Sequence, residues 1–308
     1  MRPYQIPRDK LWKGIIEDLF KDFLRYFYPE WAEEAVDWSQ RVVFLDKELA
    51  GLYPESAQTT RFADKLVRVP LKNGADLWVL VHIEVQGYRD ADFPMRMFTY
   101  FYRIRDRYQK EILALAILTD KSRRYHPKKY HYQFLNTRLT YQFDTFKLRN
   151  KTEAVLIRPH NPFSIVMQTA FKALQTENLA DIRQKEWKLA LVRNLLNAGF
   201  GAKKVRSVLN FITYYVNFHS KEECDSFHQE VSKITQSKTN MGIEEIIRTE
   251  LLEAGEKLGL EKGELKKSLV ATQNLLKKGK LSPEEIAEVL EVSLDFVLKV
   301  QKGEIRVD

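Results

Sequence analysis

The chain has 308 residues, 44% of them hydrophobic and 30% charged, and a net charge of +8. This length and composition are typical of a globular protein with a sizeable core, and they exclude disordered and fibrous chains. The longest apolar runs, Leu77 to Val81 and Ile112 to Leu118, are far shorter than the ~20 residues of a membrane-spanning helix. The positive charge favours a polyanionic partner, although many basic proteins bind none.

The amino terminus and the cysteine content bear on location and on function class. Residues 1–10 include Arg2, Arg8 and Lys10 and lack the apolar stretch of a secretion signal, so a cytoplasmic location is expected. Cys224 is the single cysteine. It excludes an intramolecular disulfide framework and a cysteine-cluster zinc site, and we interpret it as structural or incidental.

The first 90 residues are predicted to form helices followed by strands. Apolar residues recur every three or four positions from Leu11 to Phe27, which predicts an amphipathic helix that Pro29 helps to end. A second, short helix is predicted from Glu30 to Trp38. The stretches Arg61–Leu71 and Leu77–Gln86 are rich in Val, Ile and Leu, and Asn73-Gly74 between them is typical of a tight hairpin with positive φ at both residues.

The middle of the chain alternates between the helical and the strand pattern. Asp92 is predicted to cap a helix from Phe93 to Gln109, with Pro94 near its start. The later pattern predicts strands and then helices through Phe218. The predicted strands are Ile112–Thr119, Thr140–Lys147 and Ala154–Arg158.

Four regions are predicted: a core over 1–160, a helical extension over 161–232, a polar linker over 233–243 and a charged tail over 244–308. Gly255, Gly259 and Gly263 recur at intervals of four in the tail, and this spacing alone identifies no chemistry. Ser282-Pro283-Glu284-Glu285 predicts a helix start with a capping box, and Ser293 is predicted to cap a second helix through Val300. The pair is helix-turn-helix-like, but the second helix lacks basic residues at its start, which favours packing or self-association over base recognition.

Acidic residues inside apolar strands are the first candidates for chemistry. Strand alternation places Glu84 and Gln86 on one face, and Asp64 lies within the preceding strand. A carboxylate in such surroundings is costly unless it is paired, hydrogen-bonded or bound to a metal. Two explanations remain open: Asp64 and Glu84 hold Mg²⁺, which prefers oxygen ligands, or they form ion pairs with Arg61, Lys65 or Arg68.

Three stretches carry a resemblance to a known family. Arg61 to Val67, Val81 to Gly87 and Asp92 to Tyr100 resemble the Rpn family of recombination-promoting nucleases, also called transposase-like PD-(D/E)XK proteins. The resemblance covers residues 11–160 well, is looser to residue 232, and includes the glycine-spaced tail. It implies an α/β fold: a restriction-endonuclease-like core, with a mixed sheet flanked by helices and α-helical regions after it.

The resemblance also implies roles for individual residues. Asp64 and Glu84 would hold Mg²⁺, and Gln86 would occupy the position of the catalytic lysine without supplying its charge. Lys65 could supply that charge instead. Asp18, on the first helix, is a candidate for a further acid, although a solvated position is as consistent with its place at the border of the apolar face. His82 is expected to be a core residue rather than a ligand.

A basic stripe follows the predicted acidic site. Arg96, Arg103 and Arg107 fall on one side of the helix that begins near Phe93, where arginine forks suit phosphate oxygens; a solvated charged face is the alternative. The sequence therefore predicts a Mg²⁺-dependent DNA endonuclease, linked to recombination or mobile elements. The alternatives are a catalytically inactive nucleic-acid-binding protein and an interaction protein that forms homo-oligomers through its C-terminal helices.

Overall fold

The structure is a computed structural model that describes residues 6–45, 65–74, 76–84, 90–176, 180–236, 267–277, 281–290 and 292–301. For residues 76–84, Gln236 and Asp295 it describes the backbone alone. The chain forms two compact units, residues 1–238 and 239–308. The fold is α/β and mostly helical.

A mixed five-stranded sheet lies at the centre of the first unit. Its strand order is β1-β2-β3-β4-β7. The β1–β2 and β2–β3 pairs are antiparallel, and the β3–β4 and β4–β7 pairs are parallel. A second sheet contains β5 and β6 alone. The strands are β1 Val43–Phe44, β2 Lys65–Pro70, β3 Asp76–Glu84, β4 Ile112–Leu118, β5 Lys129–Phe134, β6 Thr137–Gln142 and β7 Asp144–Lys147.

The predicted hairpin and the predicted apolar strand are confirmed. β2 pairs with β3 in antiparallel register, from Lys65 opposite Val81 to Pro70 opposite Asp76. In the turn between them Gly74 has a φ of +79°, while Asn73 does not have a positive φ. β4 is apolar throughout and buried over its last five residues, as expected for a strand that lies between two parallel neighbours under helices on both faces.

Helices cover both faces of the central sheet. On one face, the helix Phe93–Tyr108 (α4) packs Phe93, Met97 and Tyr100 against Leu66 and Leu118 of the sheet. On the other face, the helix Phe20–Phe27 (α2) brings an aromatic cluster to β1 and β7. The cluster includes the ring pairs Phe20–Phe44 and Phe27–Phe146, at centroid distances of 5.6 and 5.2 Å.

The described parts of both units also contain helices. In the first unit they are α1 Arg8–Asp18, α2 Phe20–Phe27, α3 Pro29–Glu34, α4 Phe93–Tyr108, α5 Glu153–Leu156, α6 Phe163–Thr176, α7 Asp181–Asn197, α8 Ala202–Tyr215 and α9 Lys221–Gln236, with a 3₁₀ turn at Leu148–Asn150. In the second unit they are α10 over residues 267–277, α11 Pro283–Val289 and α12 Leu294–Gln301.

Four details of the predicted elements are wrong. The first helix is broken at Leu19, which has φ −117° and ψ 27°. Its second part, α2, ends at Phe27 as predicted, and Pro29 then begins α3. Asp92 makes no side-chain cap; instead its N–H donates to the carboxylate of Asp90 at 3.0 Å. The predicted strand over 154–158 contains the short helix α5, and the predicted strand over 140–147 is divided between two sheets at Phe143.

The predicted helix starts in the second unit are confirmed. The Ser282 side chain accepts a hydrogen bond from the N–H of Glu285, and the Glu285 carboxylate accepts one from the N–H of Ser282. Ser293 accepts a hydrogen bond from the N–H of Phe296 at 3.2 Å. The glycine-spaced segment, Gly255 to Gly263, lies outside the described residues. α9 continues to Gln236, inside the predicted linker.

Lys188 is fully buried in the helical part of the first unit. Its ammonium donates to the carbonyls of Thr213 and Val216, and burial lowers its pKa to about 7. An unfolded lysine titrates near 10.4, so between these values the unfolded chain binds more protons than the folded chain. We therefore expect the free energy of unfolding to rise with pH across this window, by roughly 1.4 kcal/mol per pH unit at most.

The measurement is urea denaturation at several pH values between about 7.5 and 9.5, inside the window set by the two pKa values. Lys188→Met removes the titrating group and should flatten the rise. Lys203→Met, at an exposed lysine of α8, is the matched control and should keep it. Equal slopes in both variants would contradict the assignment to Lys188.

Candidate functional site

Strand polarity brings several chain segments together at one end of the central sheet. Because β2 is antiparallel to β3, and β3, β4 and β7 are parallel, the start of β2 and the ends of the other three strands meet there. Glu84, the last residue of β3, pairs with Leu118, and Leu118 pairs with Lys147. With strands ~4.8 Å apart, the backbones of Glu84 and Lys147 are about 10 Å apart. We call this end the carboxyl edge.

A buried ion pair lies at the carboxyl edge. Asp120, two residues beyond the end of β4, and Lys147, the last residue of β7, are 0% and 1% exposed. The Lys147 ammonium donates to the Asp120 carboxylate, whose other oxygen accepts the N–H of Ser122 at 2.9 Å. Removing these two charges from water costs free energy, and each charge stabilises the other.

Tyr125 connects this pair to the start of α4. Its ring lies 5.6 Å from the Lys147 ammonium, and its hydroxyl donates to the carbonyl of Asp90 at 2.9 Å. The Asp90 carboxylate in turn accepts from Arg96 at 2.7 Å, with both side chains largely buried. The loop after β4 and the first turn of α4 are therefore fixed together beside the carboxyl edge.

A second ion pair lies at the start of β2. Lys65, 1% exposed, donates to Glu17 of α1, and its ammonium lies 5.3 Å from the ring of Phe44. Its neighbour Leu66 packs in the cluster under α4. Because consecutive strand residues face opposite sides, Lys65 faces α1, whereas Leu66, Leu118 and Lys147 belong to the α4 side. Lys65 and Lys147 are thus each paired with a carboxylate at this edge.

The predicted site residues are placed as follows. Asp64 and Gln86 lie outside the described residues, and of Glu84 and His82 the backbone alone is described, in β3. Asp18 is exposed and accepts a hydrogen bond from Ser207 of α8 at 2.7 Å. The acid of the first helix that contacts the sheet is therefore Glu17, its neighbour.

The predicted arginine stripe has three different environments. Arg96 is largely buried against Asp90 and lies 5.5 Å from the ring of Phe93. Arg103 is half-buried, and Arg107 is exposed. Arg96 therefore fixes the start of α4, while Arg107 offers its guanidinium to solvent.

Asp120 and Lys147 did not emerge from the sequence. Each follows or ends a run of strand residues, and a polar residue at the end of a buried strand is a usable signal. The strand predicted over Thr140–Lys147 includes Lys147, but the sequence does not show that β4 is its partner strand, because this depends on the sheet order. The thiol of Cys224, in contrast, has a raised pKa because it is partly buried, which makes it a poor nucleophile.

Among the described residues, no group of three or more His, Cys, Asp or Glu side chains is arranged to hold a metal ion. In the same part of the chain, no helix is both long and apolar enough to cross a bilayer. No family model, curated protein or solved structure matches the chain.

Proposed function

We propose that the chain is a divalent-metal-dependent nuclease that hydrolyses phosphodiester bonds in DNA, with its active site at the carboxyl edge. The observation that carries the proposal is the position of the two acids that the Rpn resemblance singles out. Asp64 directly precedes Lys65, the first residue of β2, and Glu84 is the last residue of β3. The antiparallel pairing of these strands places Lys65 and Glu84 at the same end of the sheet, and Asp64 is the sequence neighbour of Lys65.

The architecture also supports the proposal that the core has a restriction-endonuclease-like fold. A mixed sheet flanked by helices on both faces, followed by further helices, is the arrangement that the resemblance implies for a PD-(D/E)XK core. The α4 helix, which carries the arginine stripe, connects β3 to its parallel neighbour β4. Arg107 is the exposed member of that stripe and is the candidate for a phosphate contact.

The donor set fits Mg²⁺. Asp64 and Glu84 would hold the ion with carboxylate oxygens, which it prefers. When bound, Mg²⁺ would polarise the scissile phosphate and lower the pKa of a water molecule. The Gln86 amide would orient the attacking water by hydrogen bonding, without a positive charge. Neither Lys65 nor Lys147 adds net charge there, since Glu17 and Asp120 neutralise them.

The test is incubation of the purified chain with supercoiled plasmid, with Mg²⁺ or with EDTA. The proposal expects nicked and linear products with Mg²⁺ and none with EDTA. Cleavage that continues in EDTA would contradict it.

A second candidate is a nucleic-acid-binding protein without turnover. The pairing of Lys65 and Lys147 with carboxylates, together with glutamine at the lysine position, favours it over a fully active enzyme. Salt-sensitive binding of DNA without metal-dependent cleavage would identify this function.

Self-association through the C-terminal helices is supported by exposed apolar residues on α11 and α12. Val289 is 63% exposed, and Leu294 and Leu298 are 38% and 37% exposed. We expect the wild-type chain to have a mass in solution above its 36.4 kDa, and Val289→Lys with Leu298→Lys to reduce it to that value. Sedimentation equilibrium measures this.

The control for self-association is Glu288→Lys, which adds a lysine at an exposed position beside Val289 and should leave the mass unchanged. A single-chain mass for the wild type, or a multimer that persists in the double variant, would contradict association through these helices.

A further inference from the structure

The β5–β6 hairpin is an arm in solvent. All ten residues from 131 to 140 are exposed, and the two strands form a sheet of their own. The base of the arm is anchored on α4, where Phe98 stacks on Tyr130 at 5.0 Å and Phe101 stacks on Tyr141 at 4.6 Å between ring centroids. A two-stranded hairpin is marginally stable by itself, so this anchor fixes the base of an arm whose outer part has both faces in water.

The two faces of the arm differ in chemistry. The register pairs Tyr132 with Leu139 and Phe134 with Thr137 on one face, which continues the aromatic anchor towards the tip. The other face is polar, with Lys129 opposite Gln142 and Gln133 opposite Arg138. Basic and aromatic side chains therefore lie side by side on a narrow element, a combination that suits phosphates and base faces together.

The positive charge of the chain is concentrated around the arm. Residues 121–151 contain nine lysines and arginines and one acidic residue, Asp144, and their net charge of +8 equals that of the whole chain. Between Lys121 and Phe143 there is no acidic residue at all. The six basic residues of that segment are all exposed: Lys121, Arg123, Arg124, Lys128, Lys129 and Arg138.

The tip presents apolar side chains to solvent. Phe134 and Leu135 are 64% and 79% exposed. Leu135 also has a φ of +48°, a left-handed conformation that disfavours leucine and favours glycine or asparagine. Leucine therefore gains nothing from the fold at this position, which indicates that its side chain contacts another molecule.

We propose that the β5–β6 arm is a DNA-binding element, in which Lys129 and Arg138 contact backbone phosphates and Phe134 and Leu135 enter a groove against the bases. This inference shares its ligand with the proposed function, on which it rests for the choice of DNA, but it does not require cleavage. A second copy of the chain is disfavoured as the partner because two arms of like charge would repel each other. Apolar wedges flanked by basic residues are an established way for proteins to bind the minor groove.

The experiment measures binding of the full chain to a fluorescent DNA duplex by anisotropy, in EDTA and over a range of salt concentrations. Lys129→Glu/Arg138→Glu should weaken binding at least tenfold and lower the salt dependence, by about 0.9 in log–log slope for each phosphate that the variant no longer neutralises. Phe134→Ser/Leu135→Gly should weaken binding roughly tenfold with the slope unchanged. Since glycine suits the φ of Leu135, this variant should unfold no more easily in urea than the wild type.

The matched control is Arg193→Glu/Lys203→Glu, which makes the same change of charge at exposed positions of α7 and α8 and should bind within twofold of the wild type. Wild-type affinity in both arm variants, or an equal loss in the control, would overturn the proposal. So would tighter binding to phosphatidylserine vesicles than to DNA. If the chain binds DNA through the arm but never cleaves it, the nuclease proposal is overturned and the arm proposal stands. If the chain cleaves DNA and the arm variants have an unchanged KM, the arm proposal is overturned and the nuclease proposal stands.

Discussion

Lys147→Met is expected to destabilise the chain by about 3–5 kcal/mol, because it leaves the Asp120 carboxylate buried without its counter-charge. Asp120 is 0% exposed, and the N–H of Ser122 alone does not neutralise it. The size of the effect follows from desolvation: a buried charge that loses its partner keeps the full cost of leaving water. The measurement is the free energy of unfolding in urea.

Two comparisons make this prediction specific. Asp120→Leu/Lys147→Met replaces both charges with apolar side chains and should recover most of the lost stability. Lys172→Met breaks the ion pair between Lys172 and Glu153, whose side chains are 25% and 45% exposed, and should cost less than ~1 kcal/mol. If Lys147→Met and Lys172→Met had the same small effect, the pair at the carboxyl edge would not be a buried one.

Asp64→Asn is expected to lower the rate of DNA cleavage by about 10²–10³-fold, since it removes a negative metal ligand while keeping the size of the side chain. A metal-stabilised transition state is worth several kcal/mol, and each 1.36 kcal/mol changes the rate about tenfold. The measurement is the single-turnover cleavage rate of a labelled duplex at saturating protein.

The carboxylates should act as one unit. Asp64→Asn/Glu84→Gln should therefore be hardly slower than either single variant, because residues that hold one ion are not additive in their effects. Asp106→Asn, at an exposed acid of α4, is the control and should cleave like the wild type. Independent, multiplying losses would contradict a shared metal site.

Local sequence patterns predicted the elements that depend on interactions between residues close together in the sequence. The β2–β3 hairpin followed from the apolar strands and the glycine at the turn, and the capping box at Ser282 followed from its four residues. The break at Leu19 could not be predicted, because the apolar period continues through it without proline or glycine. The sequence predicts a strand where the helix Glu153–Leu156 lies, because a short apolar run fits either structure.

The β5–β6 arm carried a signal that was missed. Tyr130, Tyr132 and Phe134 alternate with Lys129, His131 and Gln133, which is the two-residue period of a strand. The predicted strand from Thr140 instead ran across Phe143, where the chain leaves one sheet and enters another.

In the candidate site, too, the sequence predicts what depends on neighbouring residues and misses what depends on the sheet order. Alternation within one strand predicts that Glu84 and Gln86 share a face, and this stays a prediction because Gln86 lies outside the described residues. Asp120 and Lys147 are 27 residues apart and meet because β4 and β7 are parallel neighbours. Glu17, rather than Asp18, contacts the sheet because of the rotation of α1, which the border position of Asp18 on the apolar face left open.

The most direct test of the carboxyl edge as a nuclease site is the rate at which Glu84→Gln nicks supercoiled plasmid in Mg²⁺, beside the wild type and Glu34→Gln. Glu34 is exposed at the end of α3, so its variant controls for the loss of one carboxylate elsewhere. We expect the wild type and Glu34→Gln to nick the plasmid at the same metal-dependent rate, and Glu84→Gln to be at least ~100-fold slower. Nicking by Glu84→Gln at the wild-type rate would contradict it.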